Sequence, residues 1–268
     1  MLHMRTDNGK LHSTAWALAV VFAVLGFLAL CIAAGTARDE GVTKGFGAVL
    51  SAFTSRFDAS ATARSHNIAL ALEKIKGTVL KAGEEFSFNT VVGERSEEAG
   101  FLPAPVLGPV GTEVGAGGGV CQVASTLYNA ALLADLEITC RTPHSCVVPY
   151  LEAGRDATVG DFRDLRFRNT RSEPVMIDGT AADGRLVFRI LSDKEADCEI
   201  RIETQKQSLR PQEQDRRNSR LPAEVKTNGE AGVYVRVYRV RCREGVEYQR
   251  ELVSEDFYEP GHMVRGGD

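Results

Sequence analysis

Three consecutive glycines, Gly117-Gly118-Gly119, stand just before Val120-Cys121 and a segment with helical periodicity. A cysteine in the first turn of a helix meets backbone N–H groups and the positive end of the helix dipole, and both favour the thiolate. Glycines at the same place let a substrate carbonyl approach the backbone closely. Cys121 therefore has the surroundings of a nucleophile, although a buried structural cysteine is by itself the commoner use of the residue. A glycine-rich loop ahead of a helix also suits an anion, but no Gly-Lys-Ser/Thr follows, which argues against a nucleotide P-loop.

A thiolate used for acyl transfer needs a base, and histidine is the usual one. His3 and His12 precede a long apolar run and His262 lies in the tail, which leaves His66 and His144. His66 falls within a helical segment. His144 follows Pro143 in a short stretch beyond the site helix, where a side chain can be held and aimed back at the helix start, so it is favoured. Asp156, or failing it Asp164, would orient the imidazole. Cys140, His144 and Cys146, with Cys121, have the residue types of a zinc site, but Cys-x3-His-x-Cys is not a standard spacing. The expectation is a site with no metal and no cofactor.

These residues need a scaffold. One helix is expected after Ser60 as N-cap, with Ile68, Ala71, Leu72 and Ile75 on a common face and Gly77 closing it. A second is expected from about Cys121 to Ala134, burying Val123, Leu127, Ala130, Ala131 and Ala134. Between them, Val79-Leu80, Phe86 with Phe88, Val91-Val92 and Val106-Leu107 read as short strands broken by Gly and Pro. Short strands recur at Val147-Val148, Ala157 to Val159, Leu165 to Phe167, Val175 to Ile177 and Leu186 to Ile190. The pattern predicts an α+β fold, with a mixed α/β domain over residues 48–192. Gln205 to Arg220 reads as a polar linker, and the alternation from Val233 to Cys242, followed by Tyr248 and Leu252, as a hairpin. Residues 193–268 are thus expected to be a linker and a small β extension.

From Ser13 to Ala37 no residue is charged, and the run is long enough to cross a bilayer. It predicts a transmembrane anchor over 13–37, with residues 1–12 inside and the main domain outside the cytoplasm as a single-pass protein of the cell membrane. The rival reading is a cleaved signal peptide ending near Gly35-Thr36-Ala37. A net charge of −4 provides no basic field, so nucleic acid is not an expected partner. The five cysteines beyond the apolar run are an odd number, and pairing Cys198 with Cys242 and Cys140 with Cys146 would leave Cys121 free.

The segment Gly117-Gly118-Gly119-Val120-Cys121-Gln122-Val123-Ala124-Ser125-Thr126-Leu127-Tyr128-Asn129-Ala130-Ala131 resembles the signature of VanW-family domains. So do Phe86-Ser87-Phe88-Asn89 with Gly93, Arg64 with Asn67, Pro143-His144-Ser145, the run from Gly154 to Val159, and the run from Asp164 to Asn169. The resemblance covers Phe53 to Ile190, and Gly245, Arg250-Glu251 and Tyr258-Glu259-Pro260 look like the β extension that often follows this domain. It implies a cysteine L,D-transpeptidase acting on peptidoglycan stem peptides. In that scheme Cys121 attacks and His144 moves the proton. Backbone N–H groups at Gly118, Gly119 and Cys121, helped by Gln122, would form the oxyanion hole. Arg64 and Arg155 would either hold a stem carboxylate or form structural ion pairs, and Asn89, Ser125 and Asn129 would pack. A wall-binding module with the β extension as spacer, and a peptidase that uses water as acceptor, are the competing functions.

Overall fold

The computed structural model describes residues 45–108, 111–209, 225–227, 232–259 and 262–264. In chain order the elements are β1 (Ala48–Arg56), α1 (Thr62–Ile75), β2 (Val79–Leu80), β3 (Glu85–Ser87), α2 (Phe88–Val92), β4 (Pro103–Gly108), β5 (Gly111–Ala116) and α3 (Val120–Leu133). There follow β6 (Glu137–Cys140), β7 (Arg166–Arg168), β8 (Val175–Ala182), β9 (Arg185–Ser192), β10 (Glu199–Leu209), β11 (Val225–Thr227), β12 (Gly232–Arg243), β13 (Val246–Tyr258) and β14 (His262–Val264).

The expected α+β fold is corrected by this inventory: the described chain is mostly β, with few helices among many strands. The difference arises where side-chain pattern understates pairing. The polar run from Gln205, read as linker, continues β10 as far as Leu209, each residue paired with one on β12. β10 is an edge strand with β12 on one side only, and residues 205–208 are exposed, so polar side chains there meet solvent while the backbone pairs. Conversely, Val147-Val148 and Ala157 to Val159 lie outside strands, and Val91-Val92 ends helix α2. No helix of the described residues is long and apolar enough to cross a membrane. The anchor expected over 13–37 lies outside the described residues.

Helix α3 is the centre of the core. Only Cys121 and Leu133 of its residues are not buried, so it needs walls on all sides. One wall is the antiparallel sheet β1-β9-β8-β2, and another is α1. Most polar residues on α3 are paired, the buried Tyr128 hydroxyl being an exception: Thr126 shares a 2.7 Å hydrogen bond with Ser55 of β1, and Ser51 donates to the Ala130 carbonyl at 2.7 Å. A buried hydroxyl left unpaired would cost about 1–3 kcal/mol. Helix α1 starts one residue later than expected, with Ala61 at the N-cap, because the Ser60 hydroxyl donates instead to Asp58. Gly77 closes the turn after α1 with φ 83°, and its N–H donates to Ile177 of β8.

The C-terminal sheet β10-β12-β13 has its own apolar cluster, in which Val235, Val237 and Tyr258 close over Ala153 of the preceding domain.

Candidate active site

The N-terminus of α3 is set by its neighbours. Asn67 of α1, fully buried, donates to the carbonyls of Leu102 and Gly118 at 2.8 and 3.0 Å and accepts from the Leu102 N–H at 2.8 Å. This ties the glycine turn to the start of the β4–β5 hairpin. Gly119 adopts φ 109°, a conformation side chains avoid. The Val120 N–H donates to Gly117 and that of Gln122 to Gly119, both at 3.0 Å. Among the described residues, the N–H groups of Gly119 and Cys121 have no such acceptor.

Cys121 is partly exposed at this turn, and its thiol donates to the Val159 carbonyl at 3.6 Å. His144, on the loop after β6, lines the same cleft beside it. The other face of the imidazole is held by Asp156: Nδ1 lies 2.6 Å from Oδ2, and the His144 backbone N–H donates to the same oxygen at 2.7 Å. That leaves Nε2 for the thiol. Burial raises the Cys121 thiol, but the hydrogen bond and charge of His144 outweigh it and bring the thiol below its ordinary value. Burial also pulls His144 down, yet its hydrogen bonds to Asp156 and Cys121, with their charges, push it up to about 9. Burial raises Asp156, and hydrogen bonds led by that of His144 more than reverse this, keeping it below the ordinary carboxylate value. The arrangement favours a thiolate beside an imidazolium.

Cys121 and His144 line a cleft of about 830 Å³, together with Arg64, Arg95, Tyr150 and Arg163. Arg64 donates to Gln122 Oε1 at 2.7 Å, and Arg95 to Asn89 Oδ1 at 2.9 Å. Asn89 in turn donates to Gly160 and Arg163 at 2.9 and 3.0 Å, holding the loop that carries the fully exposed Phe162 at the cleft rim.

Several expected site residues are placed elsewhere or are committed to the scaffold. The Gln122 side chain is buried, and its amide donates to Ser55 at 2.9 Å and the Arg56 carbonyl at 2.8 Å, so it is not free to act as an oxyanion donor. Gly118 is packed with its carbonyl held by Asn67. Arg155 does not line the cleft: its Nε donates to Asn129 Oδ1, and the guanidinium lies 5.5 Å from the Phe53 ring centroid. Asp164 accepts from the Asn89 N–H at 2.9 Å and Ser87 Oγ at 2.8 Å, supporting α2 rather than His144. His66 is hydrogen-bonded to the Gly100 carbonyl at 2.9 Å. Among the described residues no three His, Cys, Asp or Glu side chains converge as metal ligands would, and all five cysteines are free thiols, so neither expected disulfide forms. Arg155→Ala is accordingly expected to lower the unfolding free energy by about 1–3 kcal/mol, by orphaning Asn129 Oδ1, and to leave KM unchanged. Denaturant unfolding alongside steady-state kinetics checks both.

Two residues at the site, Arg141 and Tyr150, carried no local sequence signal, and Tyr258 was legible only as part of the β extension. Arg141 donates through Nε to the Asp156 carbonyl at 2.6 Å and lies 5.3 Å from the Tyr128 ring centroid. Tyr150 lines the cleft. Tyr258 donates to Asp156 from 102 residues away, a separation that no spacing rule spans.

Comparison with known proteins follows the same division of the chain. Residues 63–191 match the family described as VanW like protein, and residues 200–264 match the G5 domain. An uncharacterized protein of Bacillus subtilis, YoaR, is 38% identical over 153 residues, which is 57% of this chain and 50% of the relative. The vancomycin B-type resistance protein VanW of Enterococcus faecalis is 27% identical over 143 residues, 51% of this chain and 52% of the relative. The chain thus spans about half the length of the curated relatives it matches. No solved structure matches.

Proposed function

The chain belongs to the VanW family through residues 63–191, and from that premise we propose that it acts on the cell wall as a cysteine L,D-transpeptidase of peptidoglycan stem peptides. The carrying observation is that Cys121 and His144 line one cleft, with Asp156 buried behind the imidazole, a lowered thiol and a raised imidazole. The name of the enterococcal relative, which ties that protein to vancomycin resistance, supports a wall context.

In this reading the Cys121 thiolate attacks the carbonyl carbon of the L-centre at the third stem residue. The developing oxyanion faces the N–H groups of Gly119 and Cys121, which have no acceptor of their own among the described residues. The His144 imidazolium gives its proton to the amine of the terminal D-alanine, which leaves, and a thioester remains. An amine from a neighbouring stem then attacks the thioester, His144 takes its proton, the thiolate departs, and a 3-3 cross-link results. Arg64 and Arg95, both at the cleft wall, are placed to meet the carboxylate of the departing D-alanine. The site works outside the cytoplasm, where such stems are found.

Incubation of the protein with disaccharide-tetrapeptide fragments, followed by intact-mass and product analysis, tests the proposal. The expected result is a Cys121-linked stem adduct, D-alanine release and 3-3 dimers. Cleaved monomers without dimers would replace transpeptidation by hydrolysis. Binding without adduct or turnover would make the chain a wall-binding module.

A further inference from the structure

The buried carboxylate of Asp156 has four hydrogen-bond donors, and one, the Tyr258 hydroxyl, comes from outside its own loop. Oδ2 takes both bonds from His144. Oδ1 takes Arg141 Nη2 at 3.2 Å and the hydroxyl of Tyr258, the last residue of β13. The Tyr258 oxygen is itself fixed, accepting from the Gly154 N–H at 2.7 Å. Arg141 is gripped from the same sheet, since its Nη1 donates to Asp256 Oδ1 at 2.6 Å and Ser254 donates to the other oxygen of Asp256 at 3.1 Å. One residue past Tyr258, the Glu259 N–H donates to the Ser145 carbonyl at 2.8 Å, beside His144. On the opposite side, Gly154 lies so close to β12 that a Cβ there would stand 2.6 Å from Val237 and 2.9 Å from Val235. The loop bearing His144 and Asp156 is thus closed from behind by the C-terminal sheet.

We propose that the C-terminal β unit completes the active site rather than spacing it from a partner, and that Tyr258 is a positioning residue that fixes Asp156 and, through it, His144. A carboxylate offers about four lone-pair sites, and here all are filled, so its plane cannot turn. A buried carboxylate missing one donor regains that freedom, and the imidazole it holds follows. The consequence for Cys121 rests on the nucleophile reading given above; the anchoring of Asp156 does not.

Two readouts on the full chain separate these. Tyr258→Phe keeps the ring and removes only the hydroxyl. It is expected to speed amide exchange at the His144 N–H, which is bonded to Asp156 Oδ2, roughly tenfold, with exchange in α3 unchanged. Arg141→Lys, which loses the guanidinium's multi-point grip on Asp156 and Asp256, is expected to do the same. Unchanged His144 exchange in both variants would overturn the proposal. Alkylation of Cys121 by iodoacetamide at pH 6 is expected to slow several-fold in Tyr258→Phe, but by less than about twofold when Asp156→Asn is already present, because the two act in series. An equal factor in both backgrounds would mean that Tyr258 acts by general packing, and would overturn the positioning role. Faster His144 exchange, with alkylation indifferent to Tyr258, Asp156 and His144 alike, would uphold the anchoring and sink the nucleophile reading instead.

Discussion

His144→Ala is expected to slow acylation of Cys121 by a tetrapeptide stem about 10³-fold at pH 7, and Cys121→Ala to leave no adduct at all. The imidazole has two tasks here. It holds the thiol in its ionised form, since its hydrogen bond and charge are what overcome the burial that would raise the thiol. It also supplies the proton that a departing amine must acquire. Alanine removes both, so the loss exceeds that of a simple change in thiolate fraction. Single-turnover mass spectrometry across pH gives the check. In the wild type the rate rises as Cys121 ionises, below the usual thiol range, and falls again as His144 loses its proton near pH 9. In His144→Ala the upper limb disappears and the lower limb moves up towards the ordinary thiol value. A profile that did not change shape would remove His144 from the mechanism. Stability follows the same groups. The folded value of His144, about 9, lies above its ordinary 6.5, so its contribution is complete below about pH 6.5 and is lost as pH rises through about 9. Asp156 works in the opposite direction: its depressed value contributes above the ordinary carboxylate range and is lost as pH falls through the folded value.

Gly118→Ala is expected to cost about 3 kcal/mol of stability and about 10²-fold in acylation rate. A Cβ at this position would sit 2.6 Å from the Pro105 carbonyl oxygen and 2.7 Å from the carbonyl carbon and oxygen of Ala104. These are backbone atoms of β4, and no side-chain rotation relieves them. Either the β4–β5 hairpin or the first turn of α3 must move, and the second option displaces Cys121 relative to His144. Gly47→Ala makes the matched control, because nothing lies within 4 Å of a Cβ there. Denaturant unfolding and single-turnover acylation of the two variants are the measurements. An unperturbed Gly118→Ala protein would show that the glycine turn does not set the position of the thiol.

The placement of Cys121 at a glycine turn and helix start was readable along the chain because such turns are built by residues within a few positions of each other. The same locality made the faces of α1 and α3 legible: Ile68, Leu72 and Ile75 are buried together, as are Val123, Leu127 and Ala130. Locality also led the reading astray. Ser60 has the chemistry of a cap but spends its hydroxyl on Asp58, and the polar residues after Gln205 look like linker until β12 is laid beside them. The balance of strand over helix belongs to this second kind of information, since a strand's backbone bonds are satisfied by a partner that can be anywhere in the chain.

The roles of the charged and amide side chains were decided by tertiary structure alone. Gln122 and Arg155 stand in a motif next to candidate catalytic groups, yet one turns inward to Ser55 and Arg56 and the other to Asn129. Arg141 carries no motif and Tyr258 none that points to the site, and both still close on Asp156. The reason is the cost of burying charge: a fully buried carboxylate must collect donors from whatever the fold brings near, and packing, not spacing, chooses them. Residue order along this chain thus determined which thiol stands at the start of a buried helix and what local turn presents it. The tertiary structure decided which partners hold His144 and Asp156 beside it.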